Sequence, residues 1–278
     1  MLDNLQVLPP EAFTATGKFG EKLLDKISNA IGWAAIPKNT KKYRLEAEEY
    51  LVEQIKNDDK IPVLAKAAYI SNARKIIKQY VNKCDICTKA MNDLSTEADV
   101  SNIDTIEDDW LEFFFDRAKD IGKEDMQVVW ARLLAKEIDT PNTVSKHLLH
   151  ILTIISHKEA LSFAKLANYC ISVDGKDSII IFYDLMNDFY KSNGLIEEEI
   201  LYLEDIGLLQ VSLNGFEYSL ETDKKVTYFG KEIELGKTRK IYTGNVVLSR
   251  AGEELMSILT EREQINGYEE ILKNRIVM

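Results

Sequence analysis

The chain has 278 residues, of which 45% are hydrophobic, and this supply of core residues excludes an intrinsically disordered protein. Its 46 acidic residues outnumber its 35 Lys and Arg residues, and the net charge of -11 opposes broad, non-specific binding to a phosphate backbone. Three cysteines, an N-terminus without the pattern of a secretory signal, and the lack of any run of roughly 18 apolar residues predict a cytoplasmic protein without a membrane-spanning helix.

The first predicted helix lies in the segment GKFGEKLLDKISNAIGW and has one apolar face. Phe19, Leu23, Ile27 and Ile31 recur every four residues, which places them in a stripe along that face. Lysines flank the stripe. The favoured interpretation is a helix that packs in the core, and the alternative is a helix that binds an anionic membrane surface or a partner protein.

Two further helices and a linker complete the predicted N-terminal helical region, residues 1–95. The segment EAEEYLVEQI predicts the first of these helices. Residues 61–94 predict a long one, because they contain no glycine and their only proline is near the start. The polar, acidic segment at about residues 95–109 predicts a linker or mobile loop.

A central helical domain is predicted at residues 106–172. Its segment DMQVVWARLLAKEI repeats apolar residues at helical spacing. After the TPNT turn, Thr143 is predicted to cap the next helix, and Ser156 with Glu159 forms a capping box for a third. Consecutive helices with short loops predict a compact antiparallel bundle.

Residues 173–278 predict a small α+β domain. The segments SIIIFYDLMNDFY and EEEILYLEDIGLL predict helices, and the alternating stretches after them predict strands separated by Asn214-Gly215, Gly230 and Gly236. Ser249 is the predicted N-cap of a final helix over SRAGEELMSILTERE. A helix, a hairpin and a last helix in this order are typical of a winged-helix-like module. The predicted fold is therefore mostly α, an N-terminal and central helical bundle with a small C-terminal α+β winged-helix-like domain.

Two motifs raise the question of a metal or redox site. Cys84 and Cys87 form a CxxC motif, but it stands alone within a predicted helix, so packing as small apolar residues is the favoured interpretation. His147 and His150 lie three residues apart without the H-E-x-x-H pattern of zinc hydrolases. Because His147 shares its face with apolar residues, we expect a hydrogen-bonded core or interface histidine. No catalytic residue, metal or cofactor is predicted.

Glu137 is the acidic residue at the edge of the buried face of the central helix. Two structural roles remain open for it. The carboxylate pairs with Arg132 or Lys136, or it accepts backbone N–H groups of the TPNTVS turn. Both are favoured over a catalytic role.

Basic residues concentrate in and beside the predicted hairpins, with aromatic residues between them. They predict a candidate site for a specific nucleic acid, nucleotide or partner protein. The favoured interpretation is an ordinary solvated hairpin, because the helix that would read DNA is strongly acidic. The candidate ligand-binding residues are Lys225, Lys231, Arg239 and Lys240, and Lys224 and Lys237 lie beside them.

The centre of the chain resembles a bacterial family of unknown function. Residues 130–138 read WARLLAKEI, which fits that family's W-x-x-L-L-A-x-E-I and includes Trp130, Leu134 and Glu137, and a Ser-led helix follows at Ser145. The segment GEKLLDKISNAIGWAAIPKNTKKYRLEAEE is similar to the leading segment of the same family and of abortive-infection alpha proteins. VVLSRAGEELMSIL resembles the family's closing segment. Lys146-His147 stands where many relatives have Arg-Thr, so a role of that arginine does not transfer.

The resemblance implies participation in bacterial defence against phage and no known reaction. The sequence therefore predicts a non-enzymatic, abortive-infection type protein that forms a homo-oligomer or binds a partner defence protein. Association of the first helix with the membrane upon activation is one route of action. The alternative is a sensor or regulator that binds a nucleic acid, a nucleotide or a partner protein through the C-terminal domain. An enzyme of unfamiliar type ranks third.

Overall fold

The chain divides into two compact units, Met1–Lys146 and His147–Met278. The predicted division into three domains stays a prediction. The structure is a computed structural model, and it describes residues 22–23, 25–27, 29, 40–95, 99–221, 224–234 and 240–276.

In its described part, the first unit contains helices and no strand. Helical residues between Lys22 and Asn29 precede five helices, which are α1 (Thr40–Asn57), α2 (Val63–Asp93), α3 (Val100–Thr105), α4 (Asp108–Ala118) and α5 (Glu124–Asp139). The helices predicted over EAEEYLVEQI and over residues 61–94 are confirmed by α1 and α2. Pro62 precedes α2 in an extended conformation, and no proline or glycine interrupts the helix after it.

The core of the first unit lies where α2, α4 and α5 pack together. Phe114 stacks with Trp110 at a ring-centroid distance of 5.2 Å and meets Trp130 of α5 edge-on at 5.1 Å. Trp110 also donates its indole N–H to the carbonyl oxygen of Val144 at 2.8 Å. Burial of each large apolar side chain contributes about 1.5–3 kcal/mol. This cluster therefore fixes α4 against α5 and against the segment that follows α5.

The predicted linker over residues 95–109 is wrong where the structure describes it, and residues 96–98 lie outside the described part. Asp99 caps α3 by accepting the N–H of Ser101 at 2.8 Å. Ile103 and Ile106 are fully buried. Two isoleucines among polar neighbours give no visible helical period, yet their burial holds this short helix in the core.

The second unit combines helices with two small antiparallel sheets, so the predicted mostly α fold with a smaller α+β part is confirmed. The elements are α6 (Lys146–Ile154), α7 (His157–Ala167), β1 (Cys170–Val173), β2 (Lys176–Ile180), α8 (Asp188–Ser192), α9 (Glu197–Asp205), β3 (Leu209–Ser219), β4 (Val226–Tyr228), β5 (Lys231–Glu232), β6 (Lys240–Leu248), α10 (Arg250–Met256) and α11 (Tyr268–Ile276). One sheet has the strand order β2-β1-β4-β5, and the other pairs β3 with β6.

The helix predicted over SIIIFYDLMNDFY is wrong for its first half, which belongs to the β1–β2 hairpin. Asp174 and Gly175 adopt φ values of 50° and 81°, and an Asp-Gly pair suits such a hairpin turn. The run of isoleucines continues as a strand because β-branched side chains favour extended backbone. Only the end of the segment becomes helical, as α8.

The glycines predicted to separate strands play different roles. Asn214-Gly215 lies inside β3, where the register with β6 shifts between Val211 and Phe216, so it forms a bulge instead of a turn. Gly230, with a φ of 78°, forms the β4–β5 turn as predicted. Gly236 lies outside the described residues.

Two of the three predicted helix caps are confirmed. Ser156 and Glu159 form the capping box of α7, with the N–H of Glu159 donating to the Ser156 hydroxyl at 3.2 Å. Ser249 caps α10, although that helix ends earlier than predicted. Thr143 does not cap α6, because the helix begins three residues later and the Thr143 hydroxyl donates to the carbonyl oxygen of Thr140 at 2.6 Å.

Tyrosines form the core of the second unit. The ring of Tyr268 in α11 contacts Tyr169 and Tyr228 edge-on at centroid distances of 4.9 and 5.2 Å. Its hydroxyl lies 2.5 Å from the carbonyl oxygen of Ile181. Burial raises the pKa of Tyr268 well above its ordinary value. These contacts fasten α11 to the sheet.

Candidate functional site

The turn after α5 is organised around the Glu137 carboxylate, which is only 2% exposed. One of its oxygens accepts the N–H of Asn142 at 2.7 Å, and the other accepts those of Thr143 at 3.1 Å and Val144 at 2.8 Å. The geometry thus shows the predicted acceptance of backbone N–H groups from the TPNTVS turn. Asn142 has a φ of 65°, in the left-handed region that asparagine tolerates better than most residues. The carboxylate therefore stabilises a turn of unusual backbone conformation.

The other motif residues of α5 are core residues. Trp130 and Leu134 are buried, and Ser145 is half-buried at the end of the turn. Among the residues that the structure describes, the Trp130 indole N–H has no hydrogen-bond acceptor. Because Trp130, Leu134 and Glu137 are enclosed, this segment acts through packing and turn geometry in the structure and offers no exposed ligand contact at these three positions.

The CxxC cysteines lie in the buried half of α2. Cys84 and Cys87 are free thiols in the core, and so is Cys170 in the second unit. Burial raises the pKa of both CxxC thiols, and the neighbouring Asp85 carboxylate adds to the effect at Cys84. The thiolate that metal binding and redox chemistry require is therefore disfavoured. The described residues contain no group of three or more His, Cys, Asp or Glu side chains placed to hold a metal ion.

The paired histidines of α6 lie on the surface. His147 and His150 are both exposed, so the core position predicted for His147 is wrong. The His147 ring packs against the backbone turn that follows α9, where a Cβ atom added to Gly207 would lie 3.3 Å from Nε2. His147 thus contacts a turn whose glycine has a φ of 87°.

Ion pairs neutralise the basic residues of the hairpins. Arg239 lies outside the described residues, but the other three candidate ligand-binding residues each have a carboxylate partner. Exposed ion pairs contribute little to stability, yet they reduce the positive field that these side chains present to a phosphate. The pairs are Lys225 with Glu232 at 2.8 Å, Lys231 with Glu269 at 2.6 Å, and Lys240 with Glu217 at 3.3 Å.

The first helix is packed against the protein where it is described. Leu23 and Ile27 are 1% exposed, whereas Phe19 and Ile31 of the same predicted stripe lie outside the described residues. Two of the lysines beside the stripe form ion pairs of 2.5 Å, Lys22 with Asp104 and Lys26 with Asp108. The visible part of the apolar stripe is therefore not available to a membrane in this conformation. In the described part of the chain, no helix has the length and apolar character needed to cross a membrane.

A surface that the sequence prediction missed lies on the N-terminal half of α2. Leu64, Tyr69 and Ile76 are 84%, 54% and 55% exposed, and Lys75 and Lys78 are exposed as well. By helical spacing, Leu64 and Lys75 lie near the middle of the exposed surface, Tyr69 and Ile76 on one flank of it and Lys78 on the other. We call these five residues the basic face. Neither lysine has an acidic partner among the described residues. The sequence does carry a signal for a basic surface here, because residues 61–84 contain five basic residues and no acidic one.

A second missed surface lies on α9 in the other unit. Glu197, Glu198, Leu201, Tyr202 and Asp205 follow one side of this helix and line a shallow depression there. We call them the acidic face. Within the part of the chain that the structure describes, Glu197 and Asp205 have no basic partner, and Glu198 accepts only a long hydrogen bond of 3.4 Å from the Tyr202 hydroxyl. Asp205 also ends α9, where the helix dipole disfavours a negative charge.

Comparison with known proteins finds a family but no characterised relative. The family described as "Protein of unknown function (DUF2806)" matches residues 71–273. No curated protein and no solved structure shows a significant match to the chain. The matched range includes the Glu137 turn and α9, together with most of α2.

Proposed function

The chain belongs to the DUF2806 family of proteins of unknown function, and from this premise we propose that it is a non-enzymatic, abortive-infection type protein of bacterial defence against phage. The defence role is supported by the resemblance of residues 20–49 to the leading segment of abortive-infection alpha proteins. The proposed mode of action is association with another protein chain, either a further copy or a partner defence protein.

The observation that carries this mode of action is the exposed apolar surface of the α1–α2 hairpin. Val63 and Leu64 at its tip are 86% and 84% exposed, and five more large hydrophobic side chains are exposed along the two helices. The side chain of Lys66 closes the hairpin by donating to the carbonyl oxygen of Lys56 at 2.7 Å. A concentration of exposed apolar side chains on an ordered element is typical of a protein-binding surface. The five are Leu45, Tyr50, Leu51, Tyr69 and Ile76.

Phage plating tests the proposal. Cells that express the chain should show a lower plating efficiency of a sensitive phage than cells that lack it. Val63→Ser combined with Leu64→Ser should abolish protection, because the change removes the apolar tip without altering the core. Leu213→Ser is the matched control, since Leu213 is 87% exposed but lies in the other unit. Full protection by the tip variant at wild-type protein level would contradict the proposed mode of action.

Membrane contact is proposed as a later step that follows release of the first helix. Leu23 and Ile27 are buried and must leave the core before they meet lipid, so Ile27→Glu would disturb folding as well as membrane binding. Asp104→Asn with Asp108→Asn instead removes the two ion pairs that hold the helix. This variant should float with anionic vesicles more than the wild type does. Equal flotation of the two proteins would exclude this step.

We also propose that the second unit contains a winged-helix-like module, in which α9 precedes the β3–β6 pair and α10 follows it. An experimental structure in which β3 and β6 are not paired beside α9 would contradict this assignment. The alternative function, a sensor that binds nucleic acid or nucleotide through this module, has less support because the described candidate lysines are ion-paired.

The cytoplasm is the proposed location. Its support is that all three cysteines of the chain are free thiols, which persist in a reducing compartment. A cell fractionation that recovers the protein outside the cytoplasm of unstressed cells would contradict this location.

A further inference from the structure

We propose that a cavity in the second unit binds a small molecule with an apolar body and a cationic amino group. The cavity lies between the end of β2, the β3–β6 pair and α10, so every residue around it belongs to that unit. Its volume is about 240 Å³. This leaves room for roughly eight water-sized groups, since a water molecule takes up about 30 Å³ in the liquid. The inference goes beyond the proposed function and does not depend on it.

Hydrogen bonds fix the backbone beside the cavity. The N–H of Phe182 donates to the carbonyl oxygen of Thr243, and the N–H of Asn245 donates to that of Phe182, both at 2.8 Å. The Thr243 hydroxyl donates to the carbonyl oxygen of Phe216 at 3.2 Å, which ties β3 to β6 next to the bulge in β3. The cavity is therefore held open by the fold itself, as is usual for small-molecule sites.

Apolar side chains make up most of the cavity wall. Ile180 and Leu248 are buried, and Phe216 and Val247 are half-buried, so the wall continues from the core towards the surface. An apolar molecule that enters gains about 25 cal/mol for each Å² of apolar surface that leaves water. This wall favours an apolar ligand body. The apolar residues of the wall are Ile179, Ile180, Phe216, Val247 and Leu248.

The Glu253 carboxylate provides the preference for a cation. Glu253 lines the cavity from the first turn of α10, and its carboxylate forms no hydrogen bond or ion pair with the residues that the structure describes. Partial burial raises the pKa of Glu253, and the neighbouring Glu254 carboxylate adds to this effect. Glu254 itself pairs with Arg250 at 3.1 Å. An ammonium group beside Glu253 would stabilise its ionised form, because an opposite charge offsets the loss of hydration.

The other polar residues of the lining agree with a cationic ligand. Glu217 lines the cavity as well and pairs with Lys240 at 3.3 Å. The buried Thr243 hydroxyl has lone pairs that accept a hydrogen bond from an amino group. A nucleotide would bring its phosphates close to two carboxylates, and like charges repel. The chemistry of the lining therefore selects an amine over an anion.

Titrations of the full chain, followed by methyl NMR, test the site with three probes that share one aromatic ring. These are the amine 2-phenylethylamine, the neutral alcohol 2-phenylethanol and the anion phenylacetate. The amine should shift the methyl signals of Ile179 and Ile180 with a Kd on the order of 1 mM, as expected for a molecule of this size. The alcohol should bind about threefold more weakly because it forms no ion pair, and phenylacetate should bind more weakly still.

Matched variants assign the binding to the cavity. Glu253→Gln should remove the preference for the amine over the alcohol, whereas Glu261→Gln, at an exposed carboxylate of the same unit, should keep it. Val247→Trp should abolish binding of all three probes, because the larger side chain occupies the cavity. Glu253 is exposed, so its variant leaves the core intact and keeps the test valid if Val247→Trp does not fold.

Three outcomes would overturn the inference. The first is that the Ile179 and Ile180 signals do not move at about 10 mM amine, tenfold above the expected Kd. The second is that the wild type binds the alcohol or phenylacetate as tightly as the amine. The third is that Glu253→Gln retains the full preference for the amine.

Discussion

At the scale of single residues, the Glu137 carboxylate accepts three backbone N–H groups of one turn in a buried position. Glu137→Gln removes the charge and turns one acceptor oxygen into a donor, which leaves a buried N–H without a partner. We expect the free energy of unfolding to fall by about 2 kcal/mol. Urea denaturation measures this change, and Glu112→Gln, on the exposed side of α4, should change it by less than about 0.5 kcal/mol. Equal stability of the two variants would show that the turn does not depend on the charge.

The buried cysteines give a second prediction at this scale. Because burial raises the pKa of Cys84 and Cys87, both thiols stay protonated at about pH 8, where an ordinary cysteine is partly ionised. A thiol reagent that absorbs on reaction should modify the native protein slowly and the urea-unfolded protein at once. Rapid modification of either cysteine in the native state would contradict the buried position and reopen a redox role.

At the scale of elements, a long run without helix-breaking residues and a standard capping box were both predictable, as α2 and the N-terminus of α7 show. The errors arose where local patterns compete with tertiary burial. The end of β2 lies in a segment that was predicted as helix, because a continuous apolar run fits either a buried helix or a buried strand. The Asp174-Gly175 pair between β1 and β2 is the sequence signal for a hairpin at this position.

The candidate surfaces were predictable only in part. The backbone contact of Glu137 is one of the two roles that the sequence left open, and the structure shows that contact. The exposure of Ile76 and Leu201 depends on which neighbours each helix meets, and helical periodicity alone does not indicate whether an apolar face has a partner. The ion pair of Lys231 with Glu269 joins residues far apart in sequence, so local sequence patterns could not predict it.

Two glycines of the second unit give a prediction for the sheets. Gly244 in β6 and Gly230 in the β4–β5 turn have φ values of 88° and 78°, so alanine is strained at both. They differ in space, because a Cβ at Gly244 would overlap the carbonyl oxygen of Phe182, whereas a Cβ at Gly230 meets nothing within 4 Å. Gly230→Ala should cost about 1 kcal/mol of unfolding free energy and Gly244→Ala more than about 3 kcal/mol. If thermal or urea denaturation gave similar losses of unfolding free energy for the two variants, backbone strain alone would determine both effects.

At the scale of the whole molecule, the net charge of -11 and the ion-paired hairpins predict weak interaction with nucleic acid. We expect no shift of duplex DNA by the protein in a gel at about 0.15 M salt, because unspecific affinity depends on unpaired cations that release counterions. Lys225→Glu with Lys240→Glu should leave this result unchanged. A shift that the charge-reversed variant loses would instead favour the sensor function.

Helix α2 is exposed to solvent in its N-terminal half and buried in the core in its C-terminal half. Its 31 residues extend about 46 Å without a break, with Leu64 in solvent at one end and Cys84 and Ile86 in the core towards the other. No proline or glycine lies within α2, so the helix has no obvious hinge. A displacement of its exposed end would therefore be transmitted along the helix. A partner that bound the exposed end of α2 would therefore also act on the side chains that pack α2 against α5 in the core.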